Sequence, residues 1–180
     1  MKIFTLIIFI VLNIFALDLP NSYKTTFKQE IKSPEGSIIT YTGYLYVSKK
    51  DKKIKWEYLN PIEKYVYIVS EKKKTKIYTV EPDLEQVIVT STDKINIINA
   101  ILNINKEELT KENNIISKIN NIEYKINFQI EDKKYIPIKI NYLDDMENEV
   151  TIEFFNIDIN KNIDSYFHFN IPDYYDLITR

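Results

Sequence analysis

Few side chains in this sequence could carry chemistry. His168 is the only histidine and cysteine is absent, which removes His/Cys zinc clusters, disulfides and thiol nucleophiles. Any Ser-His-Asp triad would depend on that single residue. His168 alternates with Phe167 and Phe169, the pattern of a half-buried strand histidine. Asp144, Asp145, Glu147 and Glu149 form a dense acidic run, but it lacks the glycine and terminal bidentate glutamate of a calcium loop. It reads as a solvated hairpin turn. Two glycines in the whole chain leave no glycine-rich phosphate cradle. Fourteen tyrosines would suit a base- or sugar-stacking platform, yet the rings recur at alternate positions, as lining of a barrel interior requires. No catalytic constellation emerges, so neither enzyme activity, nor a cofactor, nor a metal is expected.

Charge narrows the partners further. The formal net charge is −2, too small to argue for nucleic acid. Lysines cluster at Lys49, Lys50, Lys52, Lys53, Lys55 and again at Lys72, Lys73, Lys74, Lys76, and read as solvated turns flanking strands. The chain opens with Met1-Lys2, an apolar run from Ile3 to Leu12 and the small residue Ala16 before Asp18-Leu19-Pro20. That is a secretory signal peptide over residues 1–16, too short for a membrane span. Residues 17–180 then form one exported domain with a sizeable core, expected as a monomer.

The elements that must position any site are mostly strands. Leu19, Tyr23 and Phe27 recur at four-residue spacing behind Asn21 and Ser22, which predicts a short amphipathic helix ending near Gln29. Pro34 and Gly36 break it. Strands follow over 37–48, over 53–58 where Ile54, Trp56 and Tyr58 oppose Lys53, Lys55 and Glu57, and over 65–70, 75–80 and 86–90. Asp93 caps a second helix to Leu102, apolar on most of its circumference and suited to cover a sheet. Strand patterns return at Tyr124 to Ile130, Ile138 to Tyr142 and Val150 to Ile159, with a change of buried parity near Phe154-Phe155 that predicts a bulge. A last strand is expected at 166–169. The fold class is mainly β (α+β): an incomplete antiparallel barrel of about ten or eleven strands covered by helices, since an apolar sheet face left bare aggregates.

Several ordered fragments carry a resemblance. Phe27-Lys28-Gln29, Gly43-Tyr44-Leu45-Tyr46-Val47 with Lys49, Trp56-Glu57-Tyr58 and Pro61 come first. Lys76-Ile77-Tyr78, the run Glu81 to Val87 and the helix around Ile98 to Leu102 follow, then Phe169, Ile171-Pro172 and Asp176-Leu177-Ile178. In order and spacing this set resembles the LolA family of lipoprotein carriers over nearly the whole mature chain. The resemblance implies a LolA/LolB-like half-open barrel in the periplasm that shields the acyl chains of lipoproteins. It also implies loading from a LolCDE-type inner-membrane transporter and delivery to a LolB-type outer-membrane receptor. On this likeness the lipid-binding cavity is expected at Leu45, Val47, Ile54, Trp56, Tyr58, Tyr67, Val69, Phe128, Ile138, Ile140 and Phe154, with Ile98, Ile101 and Leu102 as its lid helix. Lys49 falls where the family carries a basic handover residue, usually arginine followed by proline. A lysine cannot reproduce the rigid guanidinium fork. The alternative is a periplasmic sensor or other lipid-binding protein on the same half-barrel.

Overall fold

A computed structural model describes residues 18–71, 74–92, 109–159, 162–168 and 170–180. The expected signal peptide (1–16) and lid helix (93–102) lie outside these residues. Eleven strands form one sheet: β1 (Ser22–Lys32), β2 (Ile38–Ser48), β3 (Lys53–Asn60), β4 (Lys64–Glu71), β5 (Lys74–Glu81), β6 (Gln86–Thr92), β7 (Asn114–Ile119), β8 (Ile122–Glu131), β9 (Lys134–Leu143), β10 (Glu149–Ile159) and β11 (Asp176–Thr179). Their order is β11-β6-β5-β4-β3-β2-β1-β10-β9-β8-β7. Two hairpin meanders, β1 to β6 and β7 to β10, are therefore fused along β1 and β10. The end strands β7 and β11 do not pair, so the sheet stays open.

The first expected helix is instead β1, a central strand. The four-residue spacing of Tyr23 and Phe27 is also a multiple of two, and Thr25 between them and Gln29 after them fall on the same buried face. β1 is bonded to β2 on one side and β10 on the other. With both ladders filled, pairing outweighs a helical period that the sequence supports equally well.

The expected last strand at 166–169 is also corrected. Asp164–Phe167 is a 3-10 turn, started by Asn162 Oδ1, which accepts from the Asp164 N–H at 3.0 Å. Such a side-chain bond to nearby backbone competes with a strand ladder. The chain then crosses the outer face of the sheet, where Tyr166 stacks on Tyr46 at 4.5 Å and Ile171 and Tyr175 pack against Tyr67, Val80 and Val87. It ends as β11, paired in parallel with β6, a connection that only a long crossover can make.

The predicted bulge is present. The β1–β10 register shifts between Lys24 and Thr26, opposite Asn156, which has φ of 50°. Thr25 Oγ1 donates to the Phe155 carbonyl at 2.7 Å and fixes the irregular turn of backbone. Past it, Ile157 and Ile159 regain the inner face.

The curl of the sheet follows from ring distances. β3 and β10 stand three strands apart, about 14 Å in a flat sheet. Yet the Trp56 and Phe154 rings lie 6.1 Å apart, and Phe27 bridges to Trp56 at 4.9 Å. Only an inward-curving sheet brings them together.

Candidate functional site

The concave face is one continuous apolar surface. Leu45 faces Trp56 and Val47 faces Ile54 across β2 and β3. Phe27 faces Phe154 and Gln29 faces Ile152 across β1 and β10. Ile140 faces both Ile152 and Ile126, and Ile115 of β7 faces Ile126. The apolar side chains among these, with Phe128, Tyr124 and Ile68, form one buried cluster. Strand alternation explains why: every second residue of each strand points inward.

Of the expected cavity residues, Leu45, Val47, Ile54, Trp56, Phe128, Ile140 and Phe154 belong to this cluster, with Tyr58 packed half-buried against it. Tyr67 and Val69 do not. They pair with Lys55 and Lys53, which places them on the convex face, where Tyr67 belongs to the second cluster. The inward residues of β4 are Val66 and Ile68, opposite Trp56 and Ile54. Ile138 is the extra residue where the β8–β9 register jumps, between Lys139 opposite Asn127 and Pro137 opposite Phe128. Tyr23, Phe27, Ile115, Ile119, Ile126, Val150 and Ile152 are cluster members that the expected set omits. Simple alternation along β8 and β10 would have added Ile126, Val150 and Ile152.

This face also holds polar groups, two of which bond to each other. The Tyr58 hydroxyl donates to Gln29 Oε1 at 3.3 Å. Burial raises the phenol of Tyr23 well above the ordinary range and does the same for Tyr58. Tyr142, beside Tyr124 at 4.8 Å, is pushed up to about 12, first by burial and then by that neighbour. Free phenols ionise near pH 10, so above that value the unfolded chain releases protons that the folded chain retains. Stability is thus complete below pH 10 and falls as pH rises toward 12. Urea midpoints measured from pH 8 to 12 should be flat to about pH 10 and then drop; a flat profile throughout would contradict this burial.

The convex face departs from a simple solvated surface. Lys55, expected in an exposed basic run, is only 8% exposed. Its ammonium pairs with Glu57 at 3.2 Å and lies over the rings of Tyr46, Tyr65 and Tyr67. Lys24 sits similarly among Tyr44, Tyr46 and Tyr166. Such contacts are worth about 0.5–2 kcal/mol each, depending on desolvation, and they fasten the C-terminal crossing to the sheet.

Lys49 lies in the turn after β2, and its N–H donates to the Asn21 carbonyl at 2.8 Å. Beside that turn a cavity of about 500 Å³ is lined by Ser48, Lys50, Asp51, Lys53, Asp164 and His168, among others. His168 is exposed and follows the 3-10 turn; it is not the half-buried strand residue expected. Asp144 accepts from the N–H groups of Met146 and Asn148, which makes the acidic run a self-capped hairpin turn. Among the described residues no group of three His, Asp or Glu side chains could hold a metal ion.

Comparison with known proteins adds to this geometry. A family model described as outer membrane lipoprotein carrier protein LolA matches residues 20–170. The chain is 35% identical over 179 residues to the outer-membrane lipoprotein carrier protein of Campylobacter jejuni, covering 98% of each. It is 34% identical over 139 residues to the protein of that name from Wolinella succinogenes, covering 77% of this chain and 75% of the other. Among solved structures, an uncharacterized conserved protein from Thermus thermophilus superposes with a TM-score of 0.53 at 10% identity, over 90% of this chain and 92% of that one. That last likeness is one of fold.

Proposed function

This chain belongs to the LolA family of outer-membrane lipoprotein carrier proteins, and from that premise we propose that it holds the acyl chains of lipoproteins against the concave face as it chaperones them through the periplasm. The observation that carries the site is the unbroken apolar surface from β4 to β7 on the inside of an open sheet. A lipid chain in water is penalised by about 0.8 kcal/mol per exposed CH₂, so three chains amount to tens of kcal/mol. A carrier must hide much of this and still release it, which favours a broad shallow face over a closely fitted pocket. The work is binding and release, with no chemical step.

Topology supports a lid. β6 lies next to one end of the strand order and β7 at the other, so residues 93–113 join the two ends of the open sheet. Leu109, in that connection, packs on the concave cluster. The sequence spacing of Ile98, Ile101 and Leu102 suits a cover that acyl chains displace. The Lys49 turn fits a contact for handover, with a LolCDE-type transporter loading the carrier and a LolB-type receptor unloading it.

Mass spectrometry of protein purified from periplasm tests the cargo: triacylated lipoproteins should co-purify, and phospholipid alone would instead support a general lipid binder. The site has its own probe, because Trp56 is the only tryptophan and sits in the concave cluster. Lipoprotein carrying brominated acyl chains should quench its fluorescence by about half or more at saturation, since the ring would lie in contact with the lipid. Full binding without quenching would move the acyl chains elsewhere.

A further inference from the structure

The antiparallel meanders gather alternate turns at each end of the sheet, and the two ends differ. At one end stand turns 33–37, 61–63, 82–85, 120–121 and 144–148. They hold Glu35, Glu63, Asp83, Glu85, Asp145 and Glu147, all exposed, and no lysine or arginine. At the other end, turns 49–52 and 132–133 hold Lys49, Lys50, Lys52 and Lys133 against Asp51 and Asp132, a basic excess. The acidic end also carries an apolar fringe: Ile38 61%, Leu59 42%, Ile62 56%, Leu84 64%, Leu143 57% and Met146 77% exposed. These six come from four turns that are neighbours along the sheet, at β9–β10, β1–β2, β3–β4 and β5–β6. Single exposed apolar residues need no explanation, but a fringe repeated on adjacent turns marks an interaction surface.

We propose that this rim docks a protein partner whose surface is basic and carries exposed apolar groups, and that the partner is one that loads or unloads the carrier; the inference rests on the carrier reading above. Charge selects the occupant. An anionic lipid surface is repelled by these carboxylates, and a two-fold pairing with a second copy would set acidic rim against acidic rim. The lysines nearest this end are engaged internally: Lys32 pairs with Glu149 at 3.1 Å and Lys64 lies over the Tyr58 ring at 4.8 Å. The rim thus keeps its negative field for an incoming basic surface, which steers encounter while the fringe supplies contact.

The test compares the intact protein with a Glu63→Lys/Glu85→Lys/Asp145→Lys variant and an Ile62→Gln/Leu84→Gln/Met146→Gln variant. Transfer of labelled lipoprotein is followed from ATP-energised inner-membrane vesicles to the carrier, and from loaded carrier to outer-membrane vesicles. Uptake of a free fluorescent acyl probe by each protein reports the concave face independently. At least a tenfold loss in one transfer step, with probe uptake unchanged and wild-type transfer slowed by 0.5 M salt, supports the rim. Unchanged transfer by both variants overturns it. So does flotation of the wild type with anionic vesicles lacking protein, or wild-type self-association that the charge variant abolishes. If the wild type takes no lipoprotein at all, the carrier reading fails instead.

Discussion

A Gly43→Ala protein should lose about 3 kcal/mol or more of stability, an unusually large effect for one added methyl group. The β2–β3 register jumps between Thr42 opposite Asn60 and Gly43 opposite Tyr58, so β3 accommodates an extra residue, Leu59. That irregularity drives the β3 backbone onto Gly43: a Cβ there would lie 1.8 Å from the Glu57 carbonyl oxygen and 2.8 Å from its carbon. Both atoms are main chain, so no side chain can swing aside. The strands must part or shift register, disturbing the adjoining Tyr58, which packs on Phe27 at 5.1 Å. For a chain of this size the loss corresponds to a fall in Tm of about 6–12 °C. Gly36→Ala is the control, because nothing lies within 4 Å of its Cβ and only its φ of 90° is strained, a cost of about 1–2 kcal/mol. Equal Tm values for Gly43→Ala and the wild type would show that the β2–β3 approach is looser than these distances require.

An Ile98→Glu or Leu102→Glu protein should fold normally and fail to capture lipoprotein, with loss exceeding tenfold. The sequence period assigns both positions to the apolar face expected of the proposed lid. A carboxylate facing an acyl-binding surface must be desolvated or protonated when the lid closes, at a cost of several kcal/mol, so the lid no longer seats over the cargo. Circular dichroism and a denaturant midpoint establish that the variant is folded, and pull-down of labelled lipoprotein reads capture. Wild-type capture by a folded variant would remove the lid from the mechanism.

How much of this could be read from the residues depends on how one-sided each strand is. β3 places Ile54, Trp56 and Tyr58 against Lys53, Lys55 and Glu57, so its inner face is legible at once, and the parity change at Phe154-Phe155 locates the bulge. β4 carries apolar groups on both parities, Val66 and Ile68 as well as Tyr65, Tyr67 and Val69. Pattern alone cannot orient it; the register with β3 decides. The convex face of β4 is apolar because the C-terminal crossing covers it, a long-range fact absent from any local window. β7 is obscured because Ile115 and Ile116 are adjacent, one buried and one 61% exposed. β1 shows the ambiguity between periods of two and four. The parallel placement of β11 follows from where the chain is led over the sheet, which short-range chemistry does not specify.

The fusion of the two meanders along β1 and β10 has a kinetic consequence. The bond from Thr25 to Phe155 spans 130 residues, and the Phe27, Phe154 and Trp56 rings meet only when that closure is made. Contacts so distant in sequence impose a large loop-closure entropy before any burial offsets it, which slows folding. Until β10 arrives, β1 presents an unpaired edge and a bare apolar face, the two features that promote aggregation. A protein proposed to shield the greasy chains of others thus passes, while it folds, through a stage in which its own concave surface is exposed.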